Sequence, residues 1–284
     1  MGTSQSSNGS PSGVPMVPPW VPDIPLPSSP PEGNPEVAPN DGEEQDRRPR
    51  TEPRQPIPIA PAGRFGNARR SLGVYAHSGD RGSMRRGVGG YILRGYGGST
   101  TATRRFGGTA QTANILYSAL SGGATNPYAA PGGQLDPVLM SGRSADAVMD
   151  AVVEAVRPVD GTQDAEASRA AIKDALADVL TRFPDADLLN LEEQHRELAI
   201  ERFVSSDVFR RFDLDIGKTI RDKAPSAVAG LARLKEVREY IRETVAASFR
   251  KLRDAGQRFV ADRITQIVQN ALRETFQVFE GYAE

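Results

Sequence analysis

Residues 225–280 read PSAVAGLARLKEVREYIRETVAASFRKLRDAGQRFVADRITQIVQNALRETFQVFE, and this stretch decides the fold class. Leu231, Leu234, Ile241, Val245, Phe249 and Leu252 recur at spacings of three, four or seven. That period stacks side chains on one face of a helix and does not fit the two-residue repeat of a strand. Val260, Ile264, Ile267, Val268, Leu272, Phe276 and Phe279 repeat the pattern, and Gly256 marks a bend or break between the two helices. Upstream, Ser144 is placed to cap a helix bearing Val148, Val152, Val153 and Val156, which Pro158 ends. Another is expected from about Gln163 to Phe183, with Ile172, Leu176, Val179, Leu180 and Phe183 on one face before Pro184. Leu188–Val204 reads as a third, and Ser206 as the cap of a short fourth through Phe212. No segment reads as a strand, so the expectation is an all-α helical bundle.

Three zones follow from shifts in composition. Residues 141–284 are the acidic amphipathic bundle. Residues 64–140 form a Gly/Arg-rich basic region, with short helices expected at 66–77, 81–95 and 99–120, the last capped by Ser99 or Thr100. Glycine pairs at 89–90, 97–98, 107–108 and 122–123 weaken these helices but permit close backbone approach. Residues 1–63 hold 16 of the 22 prolines and few apolar side chains, so they are expected to form a disordered Pro/Ser/Gly-rich N-terminal arm. Within it, Val14–Pro27 favours polyproline II and carries the chain's only tryptophan, Trp20. With Met16, Val17, Val21, Ile24 and Leu26 around it, this piece is expected to dock in a partner's groove.

The formal charge of −1 hides a segregation: −4 over residues 1–63, +8 over 64–135 and −5 over 136–284. A basic belt between acidic regions points to an anionic partner or to packing on the chain's own acidic surface. Zero cysteines exclude disulfides, thiolate metal sites and thiol nucleophiles. No apolar run reaches membrane-spanning length, and no basic and apolar leader is evident, so the chain is expected to be cytoplasmic without membrane association.

Catalytic and cofactor motifs fail on inspection. His77 and His195 have neither a nucleophile nor further ligands at a productive spacing. Gly217-Lys218-Thr219 lacks the first glycine of a phosphate loop, where Phe212 stands. Gly87–Ile92 lacks the third glycine of a dinucleotide fingerprint. Asp213 and Asp215 read as a surface acidic pair between helices. The chain is therefore expected to be no enzyme and to need no cofactor or metal. The arginine pairs Arg69–Arg70, Arg85–Arg86 and Arg104–Arg105 are the candidate surface for an anionic partner, with Tyr75, Tyr91, Tyr96 and Phe106 as stacking groups.

Several segments together resemble a known family. They are Met1-Gly-Thr-Ser-Gln-Ser-Ser, Val17-Pro-Pro-Trp-Val-Pro22, Arg85-Arg-Gly-Val-Gly-Gly-Tyr-Ile-Leu-Arg-Gly-Tyr-Gly-Gly-Ser99, Arg104-Arg-Phe-Gly-Gly-Thr109 and Asp222-Lys-Ala-Pro-Ser226. The chain is similar in these to the QatB family of the bacterial Qat anti-phage defence system. The resemblance implies a non-enzymatic partner of a QueC-like ATP-dependent ligase, QatC, acting beside an ATPase, QatA, and a TatD-like nuclease, QatD. It further implies that Gly2, exposed by removal of Met1, is the amine acylated with a 7-deazaguanine. Thr3 and Ser4, with Pro18, Pro19 and Trp20, would then be recognised by the ligase.

The residues suit that chemistry on their own terms. An α-amine with a pKa of about 7.7–8.0 is partly unprotonated near neutrality, whereas lysine, at about 10.4, is not. Glycine has no Cβ to obstruct a closed site, and the first lysine of the chain is Lys173. Three other readings stand beside this one. Met1-Gly-x-x-x-Ser6 also fits N-myristoylation, the arginine belt at 64–105 fits a nucleic-acid-binding module, and the arm fits an adaptor with an unmodified tail.

Overall fold

A computed structural model describes residues 63–122 and 126–283. The arm, with Gly2, Thr3, Ser4, Pro18, Pro19 and Trp20, lies outside the described residues. Among those described there is helix and no strand, as the periodicity requires. The order is α1 (Gly66–Ser78), α2 (Arg81–Gly90), a π-helical turn (Tyr91–Tyr96), α3 (Ser99–Arg105), α4 (Gly107–Ala119), α5 (Pro137–Met140) and α6 (Ala145–Val156). It continues with α7 (Gln163–Arg182), α8 (Glu193–Phe212), a second π-helical turn (Asp213–Gly217), α9 (Lys218–Lys223), α10 (Ala227–Asp254) and α11 (Ile264–Glu280).

Helix boundaries follow local chemistry. The hydroxyls of Ser144, Thr162 and Ser226 accept from the backbone N–H groups of Ala147, Ala165 and Ala229, capping α6, α7 and α10. The Asp80 carboxylate does the same for α2, accepting from Gly82 at 3.1 Å and Ser83 at 2.8 Å. Gly256, at φ 78°, ends the chain's path out of α10 in a conformation that a side chain would resist.

Four local expectations are corrected. The stretch 99–120 is two helices, divided at Phe106, whose ring is fully buried between Tyr96 and Phe276 just before the weak helix formers Gly107 and Gly108. Neither Ser99 nor Thr100 caps α3; the Ser99 N–H is satisfied from another helix, by the Glu280 carboxylate at 3.1 Å. Ser206 caps nothing, because the apolar period of Phe203, Val204, Val208 and Phe212 runs straight through it and keeps α8 whole. Leu231 and Val260 are exposed. In the first turns of α10 it is Gly230 that faces α9, and Val260 precedes the helix it was expected to line.

Helices from the basic and acidic zones share one apolar core. α8 packs on α7, α4 and α10, while α1 pairs with α2 and α9. The central element is α11, which touches α2, α3, α4, α10 and the first π-turn. Its buried face carries Ile264, Ile267, Val268, Leu272, Phe276 and Phe279, each worth about 1.5–3 kcal/mol on removal from water. Gly89 lets α2 meet the end of α11 backbone to backbone: a Cβ there would lie 2.6 Å from the Phe279 carbonyl oxygen.

Candidate functional site

All six belt arginines are exposed: Arg69 and Arg70 on α1, Arg85 and Arg86 on α2, Arg104 and Arg105 at the end of α3. Within the acidic zone, carboxylates and arginines pair across helices. Asp174 takes Arg210 at 2.8 Å and Arg238 at 3.1 Å, binding α7 to α8 and α10. Buried Glu201 meets Arg253 at 3.6 Å, and Arg202 meets Asp178 at 2.8 Å. Of the belt, Arg86 reaches a carboxylate, Asp80, at 3.5 Å; the other five form no ion pair among the described residues. Arg85 instead lies 5.3 Å from the Tyr282 ring, and Arg69 donates to the Asp215 carbonyl at 3.3 Å.

The two π-turns meet. Tyr91 and Tyr96 donate their phenol protons to the same carboxylate oxygen, Oδ2 of Asp215, at 2.8 and 3.0 Å. In an α-helix, residues five apart diverge by about 140° around the axis. The i→i+5 hydrogen bonding of a π-turn returns them to neighbouring positions, which is how one turn aims both phenols at one acceptor. The rings stack edge-on at 5.1 Å, and Tyr91 also packs on Phe65 and Phe212 at 5.3 Å. Burial pushes the Tyr91 phenol well above its ordinary range and that of Tyr96 to about 12, so both remain proton donors at any physiological pH.

A second carboxylate, this one buried, lies on the same helical path. Asp207, fully buried, accepts from the Thr109 hydroxyl at 2.6 Å and from Arg211 at 3.3 Å, and its burial raises its pKa. Arg211 is held over the Phe106 ring at 4.9 Å. Arg64, Tyr96, Arg105, Asp164, Arg211 and Asp215 line a pocket of about 330 Å³ beside this cluster.

Sequence reasoning named the arginines and tyrosines of this region but not their arrangement. Tyr75, Tyr91 and Phe106 are core residues with no face to offer a base. Tyr75 uses its hydroxyl on Glu236 and the Arg233 carbonyl, and only half-buried Tyr96 reaches the pocket. Asp215 is a buried-edge acceptor rather than half of a surface pair. His77 is exposed at the end of α1, whereas His195 stacks on Phe183 at 3.9 Å. Among the described residues no group of three or more His, Cys, Asp or Glu is placed to hold a metal ion, and no helix is long and apolar enough to cross a membrane.

The family model described as Qat anti-phage system associated protein QatB matches residues 97–279, from the threshold of α3 to the end of α11. No curated protein and no solved structure matches the chain.

Proposed function

The chain belongs to the QatB family of the Qat anti-phage system, and on that premise we propose that its part in defence is to present an amine rather than to catalyse. In this reading Met1 is removed and the Gly2 α-amine is acylated with a 7-deazaguanine by a QueC-like, ATP-dependent ligase, QatC. The helical body scaffolds the remaining components, the ATPase QatA and the TatD-like nuclease QatD. The observation that carries the reading is the family match, joined to the absence of any lysine before Lys173.

The lysine chemistry adds support. The Lys173 ammonium donates to Asp150 at 2.7 Å, and that bond raises its pKa, so the first competing amine of the chain is held protonated. An acyl-adenylate reacts only with a neutral amine, which favours the α-amino group. Intact-mass measurement of the protein coexpressed with its system tests the proposal. The expected result is a deazaguanine adduct located on Gly2, absent when the ligase is inactivated. An unmodified Gly2 in the presence of all components would overturn it, and a fourteen-carbon acyl adduct would replace it with lipidation. Trp20→Ala is expected to weaken association with the ligase, and unchanged affinity would remove the docking role of the Pro-Pro-Trp segment.

A second reading is favoured by the exposure of the belt. Arg69, Arg70, Arg104 and Arg105 without carboxylate partners suit a polyphosphate backbone. Binding to duplex DNA that falls steeply with salt and is lost in the fourfold alanine variant would support it.

A further inference from the structure

We propose that the pocket beside the two π-turns binds the terminal phosphate of a nucleotide-sized ligand between Arg64 and Arg105. Its lining carries three guanidinium groups, of Arg64, Arg105 and Arg211, against the two carboxylates of Asp164 and Asp215, an excess of one positive charge. Arg211 is already committed to Asp207 at 3.3 Å and Asp164 at 3.9 Å, and one oxygen of Asp215 takes two phenols. Arg64 and Arg105 line the same pocket and form no ion pair among the described residues. Two guanidinium groups free of ion pairs can grip the several oxygens of a phosphate monoester, which carries about −1.5 to −2 charges near neutral pH, more fully than the two oxygens of a carboxylate.

Orientation is provided as well as charge. The Arg64 guanidinium lies 4.5 Å from the Phe65 ring centroid and 5.7 Å from that of Tyr96, held against two rings, and it has no ion pair among the described residues. Tyr96 in turn is fixed by its bond to Asp215, and Asp215 by its place in the second π-turn. Arg64, Tyr96 and Asp215 are therefore each held by a neighbour before any ligand arrives, which lowers the ordering cost of binding. Asp164, whose side chain is 67% exposed, sits at the rim, where its carboxylate can accept from a sugar hydroxyl. A volume of about 330 Å³ lies in the range for a small-molecule site. π-turns are rare and cluster at functional sites, and here two converge on one acceptor.

The free nucleotide and the phosphorylated end of a nucleic-acid strand share this chemistry. Calorimetry on the full chain at low salt tests it, with adenosine 5′-monophosphate, adenosine, and a trinucleotide carrying either a 5′-phosphate or a 5′-hydroxyl. Wild type is expected to bind at least one of the two phosphorylated probes and neither unphosphorylated one. Arg64→Ala/Arg105→Ala and the milder Arg105→Gln are expected to weaken that binding at least tenfold, with melting curves showing that both variants fold. Arg250→Ala and Arg273→Ala, exposed and outside both the pocket and the belt, are expected to bind as wild type does. Preference for the monophosphate identifies a free nucleotide, and preference for the phosphorylated trinucleotide a strand end; both support the site. Failure of both phosphorylated probes, equal binding of the 5′-hydroxyl strand, or equal losses in the control variants overturns it.

Discussion

Asp215 joins two buried-edge phenols to a helix that starts more than a hundred residues later in the chain, and its removal should be felt as a lost partner rather than a lost charge. Asp215→Ala leaves the Tyr91 hydroxyl without an ionised acceptor in an apolar setting, and a cost of about 1–3 kcal/mol in urea denaturation is expected. Tyr91→Phe removes donor and need together and should cost less than Asp215→Ala. The same phenols set an alkaline limit. They stay neutral in the fold up to about pH 12 for Tyr96, whereas tyrosines of the unfolded chain ionise at about pH 10. Their contribution is thus complete below pH 10 and is lost as pH rises from there towards 12. Denaturation midpoints measured from pH 8 to 11.5 should fall, and should fall less steeply in Tyr91→Phe. None of this was legible locally. Asp213-Leu-Asp215 looks like any acidic pair, because the partners that give it meaning, Tyr91 and Tyr96, are set by topology rather than by spacing.

At the scale of elements, sequence was a better guide, for reasons that differ from helix to helix. α6, α7 and α10 begin where a hydroxyl can cap and stop near a proline or glycine, and those signals are local. Ser226→Ala should therefore cost about 1 kcal/mol, read as a lower melting temperature, since its hydroxyl accepts from the Ala229 N–H. α8 runs unbroken through Ser206, which has the chemistry of a cap but interrupts a face that is apolar on both sides. The two π-turns had no signal, since a π-turn differs from an α-helix by one residue of winding and not by residue type. Gly89 shows what the glycine pairs provide. Gly89→Ala would press a methyl group into the backbone of α11, and a loss of about 1–3 kcal/mol is expected, without change in helix content by circular dichroism.

For the whole molecule, the all-α class was legible because periods of three and four run through every long apolar segment. The division of charge was legible too, but its use was not. The acidic helices satisfy one another, as at Asp174, and leave the arginines facing outward. Gly2→Ala is expected to lower protection against phage while leaving the melting temperature of the body unchanged. Undiminished protection would remove Gly2 from the mechanism.

The central position of α11 also imposes an order on biosynthesis. Residues 264–280 supply a face to α2, α3, α4 and α10, so although α1 can pair with α2 and α7 with α8 beforehand, those faces wait for α11. At about 5–20 residues per second, the nascent chain spends roughly ten to forty seconds between completing α2 and completing α11. Until α11 is made, the apolar faces that it covers on α2, α3, α4 and α10 stay open to water, the condition under which nascent chains aggregate.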